Sequence, residues 1–128
     1  GYGVRYKYVR DFSDSLAKQE IEAHLRTGNP VIFVVAAKSR KDDAVANKWT
    51  SGYHCMTMLG MTDTKKVIVA DSVDRSSSIF GNNQRIKYAS LGELIGYMFP
   101  CTNTTSTSIY WGGKASSGGY ILINPQNQ

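Results

Sequence analysis

Residues 52–71 read GYHCMTMLGM-TDTK-KVIVAD, two apolar runs on either side of a short polar segment. Apolar runs rich in β-branched residues and joined by a short polar turn predict a β-hairpin. If the turn centres on residues 62–63, His54 lies directly opposite Asp71, and the two side chains share a face. A slip of one residue would move one partner to the other face, so this pairing depends on the register.

His54 and Asp71 are the residues of this hairpin that carry chemistry. A carboxylate beside an imidazole fixes the tautomer of the ring and its orientation for proton transfer. His54 opens its strand and Asp71 closes the partner strand. Both are therefore expected at one end of a sheet, where loops and clefts meet. The same pair can also be an ordinary structural hydrogen bond, so the pattern leaves both roles open.

The length and charge of the chain limit its function classes. Residues 1–128 have the size of a single domain, and the longest apolar run, residues 31–37, is far shorter than the ~20 residues that span a bilayer. The net charge of +5 suits an anionic polymer such as nucleic acid or a bacterial wall, or serves solubility alone. Because the basic residues are scattered and no nucleic-acid motif accompanies them, we expect no specific nucleic-acid partner.

The cysteines and histidines indicate neither a disulfide framework nor a metal site. Cys55 and Cys101 are the two cysteines, and the two histidines lack ligands at zinc-site spacing. We therefore predict no metal and no cofactor. Cys55 is expected to point to the face opposite His54 and to lie in the core, where unpaired cysteines are common.

Local patterns predict further elements around the hairpin. Before the hairpin they are a strand at 2–9 with one solvated face, a helix at 16–26 that Gly28 stops, and a central strand at 31–36 covered on both faces. After it they are a short strand at 85–88 and a helix that begins with a Ser90-x-x-Glu93 capping box. A second hairpin is predicted to pair residues 107–111 with 120–124. This order predicts an α+β fold with a mainly antiparallel sheet and packed helices.

Three residues flanking the hairpin are candidates for a cleft beside the His–Asp pair. Trp49 belongs to a long polar segment, residues 38–51, and either lines a cleft near His54 or packs in the core. Tyr53 and Ser72, next to His54 and Asp71 in the chain, complete this candidate cleft.

Several short motifs occur in a characteristic order between residues 17 and 98. They are an amphipathic helix, Leu25-x-x-Gly28-Asn29-Pro30-Val31-Ile32, Gly52-Tyr53-His54, Val67-x-Val69-x-Asp71 and a capped helix from Leu91. The ordered set resembles the papain-like cysteine peptidase superfamily, in its double-glycine leader peptidase-like (C39-like) branch. The resemblance implies a papain-like core and hydrolysis of peptide or amide bonds. It also implies that His54 is the general base and imidazolium partner and that Asp71 orients it.

The chain departs from the family pattern at the nucleophile. In that family a cysteine opens a helix well upstream of the histidine and is preceded by an oxyanion-stabilising glutamine. No cysteine precedes His54 here, and Gln19 lies inside the predicted helix. Without a thiolate, the His–Asp pair has nothing to activate.

Three interpretations of this departure stay open. In the first, residues 1–128 are the C-terminal portion of a longer peptidase-like domain or protein whose nucleophilic cysteine lies outside this chain. Such a protein is expected to process bacterial or phage cell walls, to act on a peptide or peptidoglycan-type substrate and to be secreted or wall-associated. In the second, the chain is a non-catalytic papain-like binding or structural module. The third takes Cys101 as nucleophile, which is disfavoured because a helix C-terminus has the wrong dipole sign to lower the pKa of a thiol.

Overall fold

One sheet and two helices make up the part of the chain that the computed structural model describes, which is residues 3–36, 49–50, 53–72, 85–98 and 119–125. In chain order the elements are β1 (Val4–Val9), α1 (Asp14–Arg26), β2 (Val31–Ala36), β3 (Tyr53–Met61), β4 (Lys66–Ala70), β5 (Ile86–Ser90), α2 (Leu91–Tyr97) and β6 (Tyr120–Pro125). The strands form one antiparallel sheet in the order β1-β6-β2-β3-β4-β5. The predicted α+β class is confirmed.

Helix α1 ends at Arg26 as predicted and begins at Asp14, two residues before the predicted start. The Oγ of Ser13 accepts a hydrogen bond from the Leu16 amide at 3.3 Å and so caps the first turn. Gly28, just past the last turn, has φ +85°, a conformation that glycine adopts without steric cost. The apolar stripe of the helix, at four-residue spacing, is buried and consists of Ala17, Ile21 and Leu25.

Polar contacts attach α1 to the sheet. Glu20 accepts hydrogen bonds from the Tyr120 hydroxyl at 2.7 Å and from the Lys7 ammonium at 2.8 Å. His24 Nε2 lies 2.9 Å from the carbonyl oxygen of Ile123. Burial alone would raise the pKa of Glu20, but the hydrogen bonds from Lys7 and Tyr120 outweigh it and hold that pKa below its usual value.

Helix α2 follows β5 directly and confirms Ser90 as its predicted N-cap. The Oγ of Ser90 accepts a hydrogen bond from the Glu93 amide at 3.2 Å, and the predicted inward residues Leu91, Leu94, Ile95 and Met98 are buried. Met98 forms an isolated bridge with Val35, which places the end of α2 beside β2. Neither of the two helices in the described ranges is long and apolar enough to cross a membrane.

The two faces of the sheet differ in burial. On the face toward the helices, called the helix face here, the residues of the central strands are buried, for example Phe33, Val67 and Val69. The opposite face, called the open face, carries apolar side chains that are largely exposed: Val4, Tyr6, Tyr8, Ile86 and Tyr88. The apolar side of β1 therefore lies on the open face rather than in the core.

Two predictions about burial are wrong for the same reason. Ile32 and Val34, on the open face of β2, are only half-buried, so this central strand is fully covered on one face alone. Cys55 pairs with Val34 on that face and is exposed. The prediction that it points away from His54 is right, but its assignment to the core is wrong. An apolar strand does not reveal whether a second layer covers its other face.

The second predicted hairpin is not formed by β6. Tyr120, Ile121 and Leu122 pair with β1 on one side and with β2 on the other, which leaves no edge for a further strand. The other half of that predicted hairpin, residues 107–111, lies outside the described residues.

The hairpin of β3 and β4 closes through a three-residue loop rather than the predicted two-residue turn. The Lys65 amide donates to the Thr62 carbonyl at 2.9 Å, and the Thr62 amide donates to the Lys66 carbonyl at 2.8 Å. Lys65 has φ +63°, in the left-handed region. A turn followed by one left-handed residue is a common solution for three-residue hairpin loops.

The loop predicts a stabilising substitution. A left-handed conformation costs a non-glycine residue ~1–2 kcal/mol, whereas glycine loses ~0.5–1 kcal/mol through its greater flexibility in the unfolded chain. We expect Lys65→Gly to raise the free energy of unfolding by up to about 1 kcal/mol, as measured by urea denaturation. Lys65→Val is the opposite control and should lower it, and a stabilising valine would contradict the assigned conformation.

The Glu20 contacts predict a pH-dependent loss of stability. Because the pKa of Glu20 is lower in the folded than in the unfolded chain, its contribution is present at neutral pH and lost as the pH falls through the folded pKa. Glu20→Gln should cost about 1–2 kcal/mol at pH 7 and progressively less toward pH 3 in urea denaturation. Glu22→Gln, on the same helix, breaks an exposed pair with Arg26 and should cost only ~0.3–0.5 kcal/mol. An equal Glu20→Gln effect at both pH values would refute the assigned contacts.

Candidate functional site

A β-bulge in β3 sets which residues of the hairpin share a face. Met58 pairs with Val69 and Gly60 pairs with Ile68, so Leu59 is an extra residue without a pairing position on β4. One extra residue reverses the in-and-out alternation of β3 relative to β4.

The bulge brings His54 and Asp71 to the helix face together. Thr57 pairs with Ala70, and continuing that register places Asp71 across from Met56 and diagonal to His54. Diagonal neighbours on a sheet are within reach of long side chains. Without the bulge, the alternation set by the loop would put His54 and Asp71 on opposite faces. The predicted direct opposition of the pair is therefore wrong by two residues, whereas the predicted shared face is right.

His54 and Asp71 are in contact at the end of this sheet. His54 Nε2 lies 2.6 Å from Asp71 Oδ1. The His54 side chain is 13% exposed and that of Asp71 is 0% exposed, so the ring reaches the surface and the carboxylate does not. Because the carboxylate engages Nε2, the nitrogen that can exchange a proton with an incoming group is Nδ1.

Lys87 is a third member of the site, and no sequence pattern identified it. Its Nζ donates to Asp71 Oδ2 at 2.6 Å, and its side chain is 2% exposed. Lys87 pairs with Val69, so it approaches Asp71 diagonally from β5, as His54 does from β3. The ammonium also lies 6.0 Å from the centre of the Trp49 ring, at the outer range of a cation–π contact.

The sequence of β5 gives no signal for this role. Its alternation favours Ile86 and Tyr88 as core residues and Lys87 as a solvated one. The structure has the reverse orientation, with Ile86 46% exposed, Tyr88 57% exposed and Lys87 buried.

The other candidate residues of the cleft are Trp49, Tyr53 and Ser72. Trp49 is buried in the core beside Lys87. Ser72 is exposed, and its carbonyl accepts a hydrogen bond from Arg85 Nη1 at 2.7 Å. Tyr53 begins β3, where it pairs with Ala36.

The remaining predicted site residue, Cys101, lies outside the described residues. Within the ranges that are described, no group of three or more His, Cys, Asp or Glu side chains is arranged to hold a metal ion. The site therefore consists of a histidine, a carboxylate and an ammonium, a set suited to moving and positioning protons.

A family model gives this arrangement a context. The model described as the Peptidase_C39 like family matches residues 2–93, a span that includes His54, Asp71 and Lys87. Comparison with curated proteins and with solved structures gave no significant match. The match covers well over half of the 128 residues and agrees with the resemblance to C39-like peptidases. The chain therefore belongs to the Peptidase_C39 like family, in the C39-like branch of the papain-like peptidases.

Proposed function

We propose that this chain is part of a cysteine peptidase that hydrolyses peptide or amide bonds, with His54 as general base and Asp71 as the residue that orients it. The observation that carries the proposal is the 2.6 Å contact between His54 Nε2 and Asp71 Oδ1 in a member of a cysteine-peptidase-like family. In the proposed reaction, His54 takes the thiol proton through Nδ1, and the thiolate attacks the carbonyl carbon of the scissile bond. The C–N bond breaks as the imidazolium gives the proton to the leaving amine, and a water molecule deprotonated by His54 then cleaves the thioester and releases the thiol.

The proposal places the nucleophilic cysteine outside the 128 residues, which are then the C-terminal portion of a longer peptidase-like domain. Cys55 is a poor nucleophile for this site because it lies on the open face, away from His54. Partial burial also raises the pKa of the Cys55 thiol, which leaves less of the reactive thiolate at neutral pH. The family pattern expects the cysteine upstream of His54, and no cysteine precedes His54 in this sequence.

We further propose that the parent protein processes bacterial or phage cell walls, with a peptide or peptidoglycan-type substrate and a secreted or wall-associated location. The support is the net charge of +5, which favours association with anionic polymers.

One observation favours a second candidate, a non-catalytic binding or structural module. Both oxygens of the Asp71 carboxylate are engaged, by His54 and by Lys87, and such a buried network can serve the fold alone. The two candidates differ in a single property, the presence of a thiol that His54 activates.

Substitutions at the pair test the peptidase proposal in protein expressed from the complete gene. His54→Ala and Asp71→Asn should each reduce hydrolysis of labelled casein or purified peptidoglycan by ~10²–10⁴-fold, because proton transfer is lost or the wrong tautomer is favoured. Asp63→Asn makes the same carboxylate-to-amide change at an exposed position of the same hairpin and should leave the rate unchanged.

A thiol assay identifies the nucleophile in the same protein. Iodoacetamide at pH 6, read by mass spectrometry, should label one upstream cysteine at least ~10-fold faster than Cys55, and His54→Ala should remove that advantage. Fast labelling of Cys101 instead would overturn the placement of the nucleophile. Absence of both hydrolysis and a fast thiol would favour the binding module.

Cys55 itself is expected to be a slow thiol. Since burial raises its pKa, its iodoacetamide reaction at pH 7 should be slower than that of N-acetylcysteine, and it should accelerate as the pH rises. Cys55→Ser should leave hydrolysis unchanged. Faster labelling than the free thiol would show that the site activates Cys55 after all.

A further inference from the structure

We propose that Lys87 is a positioning residue of this site: its ammonium holds the Asp71 carboxylate aimed at His54 and balances the carboxylate charge. A role of Lys87 in catalysis rests on the proposed function. The contacts of Lys87 described below are independent of that function.

The two carboxylate oxygens of Asp71 contact different partners. Oδ1 lies 2.6 Å from His54 Nε2, and Oδ2 accepts from Lys87 Nζ at 2.6 Å. A carboxylate engaged at both oxygens, from β3 on one side and β5 on the other, cannot rotate without breaking one contact. The Lys87 contact therefore fixes the direction in which Oδ1 points.

The Asp71–Lys87 contact is buried. The Asp71 side chain is 0% exposed and that of Lys87 is 2% exposed, so solvent screens their charges little. A charge taken out of water is costly unless a partner compensates it. In the absence of Lys87, a protonated His54 would be a counterion in direct contact with Asp71.

Lys87 also affects proton uptake by His54. With a neutral ring, the charges of Asp71 and Lys87 cancel, and protonation of His54 adds a positive charge beside them. Val35 and Met98 near His54 are apolar, and Cys55 faces the opposite side of the sheet. The charged residue next to Asp71, Arg85, donates its guanidinium to the Ser72 carbonyl at an exposed position. Charges at such short range move a protonation equilibrium by about one to three pH units.

The consequence is a change in how readily His54 takes up a proton. With the Lys87 charge present, protonation of His54 is less favourable than it would be beside Asp71 alone. Asp71 then orients the ring, and Lys87 offsets the carboxylate charge that favours the protonated ring.

NMR titration of the His54 ring in protein expressed from the complete gene tests this directly, with the resonance assigned by its loss in His54→Gln. Lys87→Met should raise the midpoint of the His54 titration by about one pH unit or more, a tenfold change in proton affinity. Lys66→Met removes the same charge from an exposed position on the neighbouring strand and should move the midpoint by less than ~0.2 pH units. Equal midpoints in Lys87→Met and wild type would overturn the proposal.

Two further measurements apply if Lys87→Met does not fold. Lys87→Gln keeps a donor for Asp71 without the charge and should raise the midpoint in the same direction. In the wild type, the ¹⁵Nζ resonance of Lys87 should show an inflection at the pH where His54 titrates, and its absence would overturn the proposal.

The titration separates this inference from the proposed function. A shifted midpoint in a protein without peptidase activity would refute the peptidase and leave the role of Lys87 standing. An active peptidase in which Lys87→Met leaves the midpoint of the His54 titration unchanged would refute the role of Lys87 alone.

Discussion

Asp71 has no exposed side-chain surface, and the free energy of burying a carboxylate is unfavourable unless its oxygens are engaged. The neighbouring strands meet this requirement. β3 supplies an imidazole to one oxygen and β5 supplies an ammonium to the other. The backbone amide of Asp71 is engaged as well, donating to the Arg85 carbonyl at 2.7 Å. Three strands are thus tied together at one residue, and the end of the sheet that carries His54 is ordered by it.

The rest of the described fold supports that arrangement from one side. Helix α2 starts directly from β5, and its continuation bridges to β2, next to the strand position of His54. Helix α1 is attached by Glu20 and by its buried apolar stripe. Both helices pack on the helix face, so the charged cluster is enclosed by apolar side chains there while the open face remains largely exposed. This asymmetry makes the interactions of Asp71 strong, because few water molecules compete with them.

Local patterns in the sequence were sufficient to predict helix ends and the presence of the hairpin. Gly28 marks the end of α1, Ser90 and Glu93 mark the start of α2, and the two apolar runs predict the hairpin. The ordered motifs also predicted the family. These features depend on backbone preferences and on residues close in the chain.

Features that depend on contacts between distant elements could not be predicted in the same way. The burial of Cys55 was predicted wrongly because it depends on whether another part of the fold packs on the open face of β3. The alternation of β5 favoured a solvent-exposed Lys87. The sequence of one strand cannot show that a carboxylate on a neighbouring strand will bind the lysine and bury it. The hairpin register was wrong by two residues because the loop and the bulge at Leu59 each changed it. His54 and Asp71 still share a face because the two changes together shift the register by an even number of residues.

The bulge at Leu59 also limits how this hairpin can tolerate insertions and deletions. Adding or removing one residue in the loop would reverse the alternation of β4 relative to β3, turning Val67 and Val69 toward the open face and separating His54 from Asp71. Only a second change of one residue at the bulge would restore the alternation. Viable length variants of this hairpin therefore carry compensated changes, and an alignment that places a single-residue gap between His54 and Asp71 would describe a chain that cannot form this site.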